Sequence, residues 1–573
     1  MKYTNEDNFH IVVQLLKKNN ISTLVISPGG TNIPLVMAVQ NDLFFTCYSV
    51  VDERSAVYFA IGLYLQLKKP VALICTSAQA TRNYIPGLTE AYYKRIPILA
   101  ITMEKHPRFK YQEYMQAPDQ TSLPKDCVKK SFELPYISDV NGYYQTVRTV
   151  NQAMLELYKN GKGPVQLCIP ALDFPISEKE NTIRFVKRFA CTESRYEDLR
   201  NKRILLVIGE QFCTTDEEKD AVDHFCEITD SIAYVNHLSN YSGPYSLHAN
   251  LLLSTINDTE FEILKPDIVI TVGGQTGDYP LYLQLYKNDN PCFEHWRIHE
   301  DGEVVDTFDK LTRVYQGNPV DFFRNVNCTE ESHTYFHMWY ELAGLKKTDI
   351  EVPYSNVSIA QYLCNRIPQN SIIQFSILNS LRIWNLFEID KTIECYSNVG
   401  AFGIDGGLST LIGQSVSSDK LSFMIIGDLS FFYDMNSLMI RHIKDNVRIL
   451  LVNNNGGVEF KLHGENKEEQ DRYIAAANYH GSAKGWAESC GFKYLSADSM
   501  DKFRTVSAEF LEKSKKPILL EAFVNDEDES IAYQKLIDEN RNKSKKIKLK
   551  ESIWNALVNV LGEDKVRKIT GNS

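Results

Sequence analysis

Residues 427–457 read GDLSFFYDMNSLMIRHIKDNVRILLVNNNGG, and this stretch decides the fold. An apolar run, Leu421–Ile426, leads into it, and a second, Ile449–Val452, brings it to its close. Short apolar runs bounded by turn-forming residues read as buried strands. The helix-like segment between them makes a strand–helix–strand unit, which requires a parallel sheet. Asp428 at the end of the first strand and the Asn run at the end of the second then lie side by side. Ligands of parallel sheets bind at that carboxyl edge. One carboxylate, one amide oxygen and one backbone carbonyl form an oxygen-only, partly open set. Such a set suits Mg²⁺ that is shared with a diphosphate.

Gly-Asp, a gap and then Asn-Asn resembles the diphosphate motif of thiamine-diphosphate (ThDP) enzymes. With SNVGAFGIDGGLST at Ser397–Thr410 ahead of it, the wording is most similar to the menaquinone-pathway synthases that join 2-oxoglutarate to isochorismate (SEPHCHC synthases). The resemblance implies that Asp428, Asn454 and the carbonyl of Gly456 hold Mg²⁺. It places Gly427, Leu429, Ser430, Gly403, Asp405 and Phe460 beside the cofactor, with Ile404 propping up the bend between its rings. It also implies an α/β fold of three consecutive parallel-sheet domains of the ThDP decarboxylase/synthase type. These are a pyrimidine-binding domain over 1–185, a central α/β domain over 186–350 and a diphosphate/Mg domain over 351–535. A charged linker and C-terminal helix fill 536–573.

The rest of the chain supports the same alternation of strands and helices. Apolar runs fall at Thr23–Ile26, Phe44–Val51, Val71–Cys75, Ile98–Ile101 and Val165–Ile169, with helical segments such as Asn5–Lys18 and Ser55–Gln66 around them. A second series, Arg203–Gly209, Ile232–Asn236, Asp267–Gly274 and Phe293–His299, is followed by Ser371–Ile377 and Ile518–Asn525. Alternation of this kind predicts parallel α/β sheets. The turn GGQTGDYP, Gly273–Pro280, lacks the spacing and context of a dinucleotide fingerprint, so neither NAD nor FAD is expected. The tail holds KSKKIKLK and an amphipathic stretch, Ile553–Leu561; a solvated linker is the simplest reading.

Composition excludes several classes. With 573 residues the chain is long enough for about three or four domains, and 43% hydrophobic residues is ordinary for a globular protein. The net charge of −11 is diffuse and gives nucleic acid no clustered basic face. The twelve cysteines are scattered without CxxC or zinc spacing, as in small buried hydrophobes of a reducing compartment. The first twenty residues are too polar for a signal peptide, and no apolar run reaches the roughly 18 residues needed to span a bilayer. A cytoplasmic protein without membrane or nucleic-acid partners is expected.

Three loops of the first unit carry candidates. SPGGTNIP at Ser27–Pro34 is a glycine turn at a strand end, where a backbone can approach a ligand closely; Ser27, Pro28 and Gly29 are its cofactor-side residues. VVDERSA puts Glu53 just past a strand, at the start of a helix. In ThDP enzymes a glutamate in that place contacts the aminopyrimidine ring, and Glu53 matches it. The chemistry needs a carboxyl group able to share a proton with a ring nitrogen, which a partly desolvated pocket favours. TSAQATRNYIPGLTEA supplies Thr76 and Ser77, with Ala78 where the family has glycine. Farther on, Gln116 matches a glutamine that reaches the reacting carbon, and Gln120 is a second candidate.

The ThDP family forms its site from two subunits, so the resemblance implies a homodimer or a dimer of dimers. The activity implied is decarboxylation of a 2-oxo acid and addition of the acyl-anion equivalent to an acceptor. The substrate residues depart from the family, however. Val399, Trp384 and Thr31 stand where the synthases have arginines, Lys105 replaces another, and Asp278 and Tyr279 replace a basic pair, where an acid would repel a substrate carboxylate. Arg382 remains nearby, and His463 stands where an apolar residue is expected. A pocket lined by Val399, Trp384 and Phe460 predicts a less anionic donor, pyruvate or another short 2-oxo acid, and hence an enzyme other than the menaquinone synthase. His463, Lys105 and His106 are then candidates for contacting the acceptor or relaying a proton. The alternatives are a simple 2-oxo acid decarboxylase releasing an aldehyde, the SEPHCHC synthase activity itself, and a non-catalytic ThDP-fold binding protein.

Overall fold

The computed structural model describes residues 3–4, 7–106, 110, 117–170, 176–177, 183–193, 199–210, 212, 214–286, 293–326, 333–401, 403–458 and 481–541. Gln116, Phe460, His463 and the tail beyond 541 lie outside them. By compactness the chain falls into two units: residues 1–190 with 299–317, and residues 191–298 with 318 onward.

The first unit contains a six-stranded parallel sheet. Its strands follow β1 (Tyr3–Thr4) in the chain: β2 (Thr23–Ile26), β3 (Thr46–Ser49), β4 (Val71–Cys75), β5 (Ile98–Glu104), β6 (Ser131–Glu133) and β7 (Val165–Pro170). Their spatial order is β3-β2-β4-β5-β7-β6, and each neighbouring pair is parallel. β1 pairs antiparallel with β8 (Ile176–Ser177). A parallel pair, β9 (Lys187–Ala190) and β15 (Leu311–Gln316), also belongs to this unit.

β4, β5 and β7 are buried at every residue, because helices cover both faces of the sheet and leave only apolar side chains tolerable there. Each Val, Leu or Ile removed from water contributes roughly 1.5–3 kcal/mol. The apolar run Phe44–Val51 yields only the short strand Thr46–Ser49. The backbone of Phe45 is bonded to the Asp42 carbonyl in a turn, and the strand itself is the exposed edge of the sheet.

The second unit holds five parallel strands in the order β12-β11-β10-β13-β14. These are β10 (Ile204–Ile208), β11 (Ser231–Val235), β12 (Ser246–His248), β13 (Ile268–Val272) and β14 (Glu294–His299). It also holds a six-stranded parallel sheet made of β16 (Ile372–Phe375), β17 (Glu394–Ser397), β18 (Ser422–Gly427), β19 (Val447–Asn453), β20 (Lys493–Ala497) and β21 (Ile518–Phe523). The order is β17-β16-β18-β19-β21-β20, with all pairs parallel.

β18 and β19 are the two runs that bracket the stretch 427–457. They are neighbours in register from Ser422↔Val447 to Gly427↔Val452, so Asp428 and Asn454 emerge at the same edge. Among the described residues, no helix is long and apolar enough to cross a membrane.

Candidate functional site

Asp428 is the centre of the second unit's site. It follows β18 as the first residue of the helix Asp428–Asp434 and is 2% exposed. Its Oδ2 accepts the backbone N–H groups of Asn454 at 3.1 Å and Gly456 at 3.2 Å, and its Oδ1 accepts that of Leu429 at 2.7 Å. Burial pushes the carboxyl up from 3.8 to about 6, against the pull of those N–H groups. A carboxylate that costs this much to ionise, at a sheet's carboxyl edge, suits a divalent cation that would neutralise it.

The Asn turn supplies the companion oxygens. Asn454 Oδ1 accepts the Gly456 N–H at 3.2 Å, and the Gly456 carbonyl follows it in the turn. Asn455 takes a positive φ of 62°, which asparagine tolerates better than most residues. Behind the turn, the buried Glu521 accepts from Asn453 Nδ2 at 2.8 Å, Ser482 Oγ at 2.7 Å and Tyr494 OH at 2.7 Å. This network fixes the end of β19.

A Cβ added at Gly427 would meet nothing within 4 Å, so open space lies beside the strand end. Ser430 is buried on the same helix. Asp434 of that helix accepts Ser409 N–H and Ser409 Oγ–H, both at 2.8 Å. It thereby ties down the helix Gly407–Val416, ahead of which lie Gly403 and Asp405, both exposed, and the half-buried Ile404. Ile404 packs against the core beneath. The oxygen set and the open glycine edge fit a metal-bound diphosphate.

The first unit brings Ser27, Gly29, Thr76 and Ser77 together at the ends of β2 and β4. Ser27 Oγ donates to the Val50 carbonyl at 2.8 Å, while Pro28 is exposed. A Cβ on Gly29 would stand 2.5 Å from Thr76 Cβ, so only glycine fits there. The Thr31 and Thr76 hydroxyls lie 2.6 Å apart; Thr31 is thus a partner of the turn. Ser77 Oγ is buried without a partner, a polar atom that a ligand can satisfy. Glu53 opens the helix Glu53–Leu67, is half-buried, and accepts Asn83 Nδ2 at 3.0 Å. A carboxylate with one oxygen bonded and one left over fits an aminopyrimidine ring.

Several substrate-side candidates are held by the fold. Gln120 is 2% exposed, accepts the Ala78 N–H at 2.6 Å and donates to the Met103 carbonyl. Trp384 is fully buried, its indole N–H donating to Asn356 Oδ1 at 3.2 Å. Val399 is also fully buried and lies 2.9 Å from where a Cβ on Gly277 would sit. Lys105 is half-buried, and His106 packs edge-on against Tyr136. Arg382 lies over the Tyr279 ring at 5.1 Å.

Asp278 needs correction. The sequence reading has it repelling a substrate carboxylate, but it is 5% exposed and turned inward. It accepts Tyr234 OH, Asn250 Nδ2 at 2.6 Å and the Leu281 N–H at 3.2 Å.

Sequence reasoning missed Asn83, Asp434, Glu104 and Glu529. The first two lie inside quoted motifs, and only their partners reveal them. Glu104 ends β5, which runs three residues past the apolar run; burial pushes it up to about 7 beside Lys110, 3.2 Å away.

Residues 7–123 match the family described as "Thiamine pyrophosphate enzyme, N-terminal TPP binding domain". Three curated relatives carry the name 2-succinyl-5-enolpyruvyl-6-hydroxy-3-cyclohexene-1-carboxylate synthase. That of Bacteroides thetaiotaomicron is 32% identical over 548 residues, covering 91% of this chain and 97% of its own length. That of Phocaeicola vulgatus is 32% identical over 565 residues, covering 95% and 100%. That of Flavobacterium psychrophilum is 29% identical over 541 residues, covering 89% and 95%.

Proposed function

The chain belongs to the 2-succinyl-5-enolpyruvyl-6-hydroxy-3-cyclohexene-1-carboxylate synthase family of ThDP enzymes, and from that premise we propose that it decarboxylates a 2-oxo acid and joins the acyl unit to an acceptor, 2-oxoglutarate and isochorismate being the leading pair. The observation that carries this reading is identity of 32% spread over 95% of the chain, far beyond the cofactor motifs alone. The inward Asp278 supports it as well, because the acid expected to repel an anionic substrate is committed to Tyr234 and Asn250.

ThDP, when bound, would supply the electron sink for the decarboxylation. Asp428, Asn454 and the Gly456 carbonyl hold its Mg²⁺, and Gly427–Ser430 and Gly403–Asp405 flank the diphosphate. Ser27–Gly29, Thr76 and Ser77 flank the pyrimidine, and Glu53 shares a proton with its ring nitrogen. ThDP enzymes form this site from two subunits, and by that resemblance a homodimer would pair Glu53 of one subunit with the other's Asp428. Lys105 and Arg382 are the cations offered to substrate carboxylates.

A second reading, a carboligase or decarboxylase using pyruvate or another short 2-oxo acid, rests on Val399 and Trp384. Neither position provides a cation, and both are fully buried.

The test is CO₂ release from a panel of 2-oxo acids with ThDP and Mg²⁺, each with and without isochorismate. Release from 2-oxoglutarate that rises with isochorismate supports the synthase. Faster release from pyruvate, indifferent to isochorismate, sinks it in favour of the second reading. Saturable ThDP binding with no release from any donor argues for a binding role.

A further inference from the structure

Asn83 Nδ2 donates to Glu53 Oε2 at 3.0 Å. Taking Glu53 as the carboxyl group that meets the aminopyrimidine, we propose that Asn83 is a positioning residue for it: the Asn83 amide ties down Glu53 Oε2 and leaves Oε1 turned to the ring nitrogen.

The fold has little need of this bond. Asn83 is exposed, and the bond lies at the open surface of its unit. An amide–carboxylate bond in water adds little to folding stability. Yet both partners are aimed by their surroundings. Asn83 ends the short helix Gln79–Asn83. On one side of it, Arg82 Nη2 donates to the Asp119 carbonyl at 3.0 Å. On the other, Tyr84 is fully buried. The same helix starts from Ala78, whose N–H is held by Gln120.

Glu53 is fixed from its own side. Asp52 caps the helix, accepting the N–H groups of Arg54 at 2.9 Å and Ser55 at 3.4 Å. Two adjacent acids therefore have separate tasks, and the Glu53 carboxylate is the one left for Asn83.

An N–H donated to one carboxylate oxygen fixes the side chain's rotation. The second oxygen is then presented in a single direction before the cofactor arrives, which lowers the ordering cost of binding. Among the described residues, few titratable and charged groups face Glu53. Asp52 and Arg54 share its helix, Cys75 comes from β4 and Tyr84 from the following helix. Burial pushes Cys75 up to about 12 and Tyr84 well above its ordinary value, so neither ionises near neutral pH.

The experiment is calorimetric titration of the full chain with ThDP and Mg²⁺ at pH 6 and pH 8, with the thermal midpoint of each cofactor-free protein. Wild type, Asn83→Ala, Asn83→Asp and Glu53→Ala are compared. Asn83→Ala is expected to bind ThDP about tenfold more weakly at both pH values, with an unchanged midpoint. Asn83→Asp keeps the shape but replaces the donated N–H with a second carboxylate that repels Glu53. Its affinity is expected to fall about tenfold below that of Asn83→Ala, the added repulsion exceeding the loss of the bond alone. A merely structural role would move the midpoint and leave Asn83→Asp binding no more weakly than Asn83→Ala. Wild-type-like binding in both Asn83 variants, with loss in Glu53→Ala, overturns the role of Asn83 alone. Failure of wild type to bind, or intact binding by Glu53→Ala, overturns the reading of Glu53 itself.

Discussion

The backbone N–H of Ala78 donates to Gln120 Oε1 at 2.6 Å while Ala78 holds a φ of +68° and a ψ of −122°. That conformation favours glycine, and a side chain there costs about 1–3 kcal/mol. Leu378, in the same place after β16, takes φ +60° and ψ −128°. Both units thus carry the same strained turn ahead of a helix, each with a non-glycine residue in it. Ala78→Gly should stabilise the protein by about 1 kcal/mol, the relief being partly offset by a looser unfolded chain. Gln120→Ala should cost about 3 kcal/mol, since it strands the Ala78 N–H and the Met103 carbonyl in the interior. Urea unfolding of both variants and their double mutant checks this. Simple additivity would show that Gln120 does not hold the turn.

Glu529 gives a pH dependence. Burial pushes its carboxyl from 4.5 up to about 8, against one N–H from Asn356 at 3.1 Å. Between those values the folded state binds more protons than the unfolded state, so stability falls as pH rises through that window. At about 1.4 kcal/mol per unit, the whole span is worth up to about 5 kcal/mol. Glu529→Gln should therefore be more stable than wild type at pH 8 and flatter between pH 5 and 8. Parallel stability–pH curves for the two proteins would refute this.

The fold was legible because parallel strands covered on both faces must be continuous apolar runs; Val71–Cys75 and Thr23–Ile26 are strands to the residue. Asp428 and Asn454 were legible because a strand end followed by Asp, and another followed by Asn, must meet at one edge once the strands are neighbours. Side-chain direction was not. Nothing local to Asp278 signals that it turns inward to Tyr234, and nothing local to Trp384 signals that it reaches back to Asn356, since both depend on partners far away in the chain. Asn83 was hidden in the same way: its partner lies 30 residues earlier.

Glu53→Gln keeps the shape and removes the exchangeable carboxyl proton. General acid–base participation of this kind contributes about 10²–10⁴-fold, so turnover should fall by about a thousandfold while the thermal midpoint stays put. Steady-state CO₂ release with saturating ThDP and Mg²⁺ reads this directly. A loss of less than about fivefold, far below that range, would remove Glu53 from the chemistry.

Asp428 should oppose stability when no cation is present. Its folded-state value near 6 against 3.8 means that stability declines from about pH 4 to pH 6 and stays reduced above, by about 3 kcal/mol. Asp428→Asn removes that penalty, so the metal-free variant should melt higher than wild type at pH 7.5. The same variant should lose the rise in melting temperature that Mg²⁺ and ThDP together confer on wild type. A variant that still responds to Mg²⁺ and ThDP would place the metal elsewhere.

Asp278 separates the two readings of the substrate pocket. If it faced substrate, Asp278→Arg would restore a cation and raise the affinity for an anionic donor. The carboxylate instead receives Tyr234 OH, Asn250 Nδ2 and the Leu281 N–H, and is 5% exposed. The Asp278→Arg change would leave Tyr234 and Asn250 without their acceptor and bury a second set of donors against them, at a cost of about 4 kcal/mol or more. Asp278→Asn keeps one acceptor oxygen and should lose about 1–2 kcal/mol, with the KM for 2-oxo acids unchanged. An Asp278→Arg protein that folds normally and binds 2-oxoglutarate more tightly would return this residue to the pocket wall. It would also revive the argument that the chain has turned away from strongly anionic substrates.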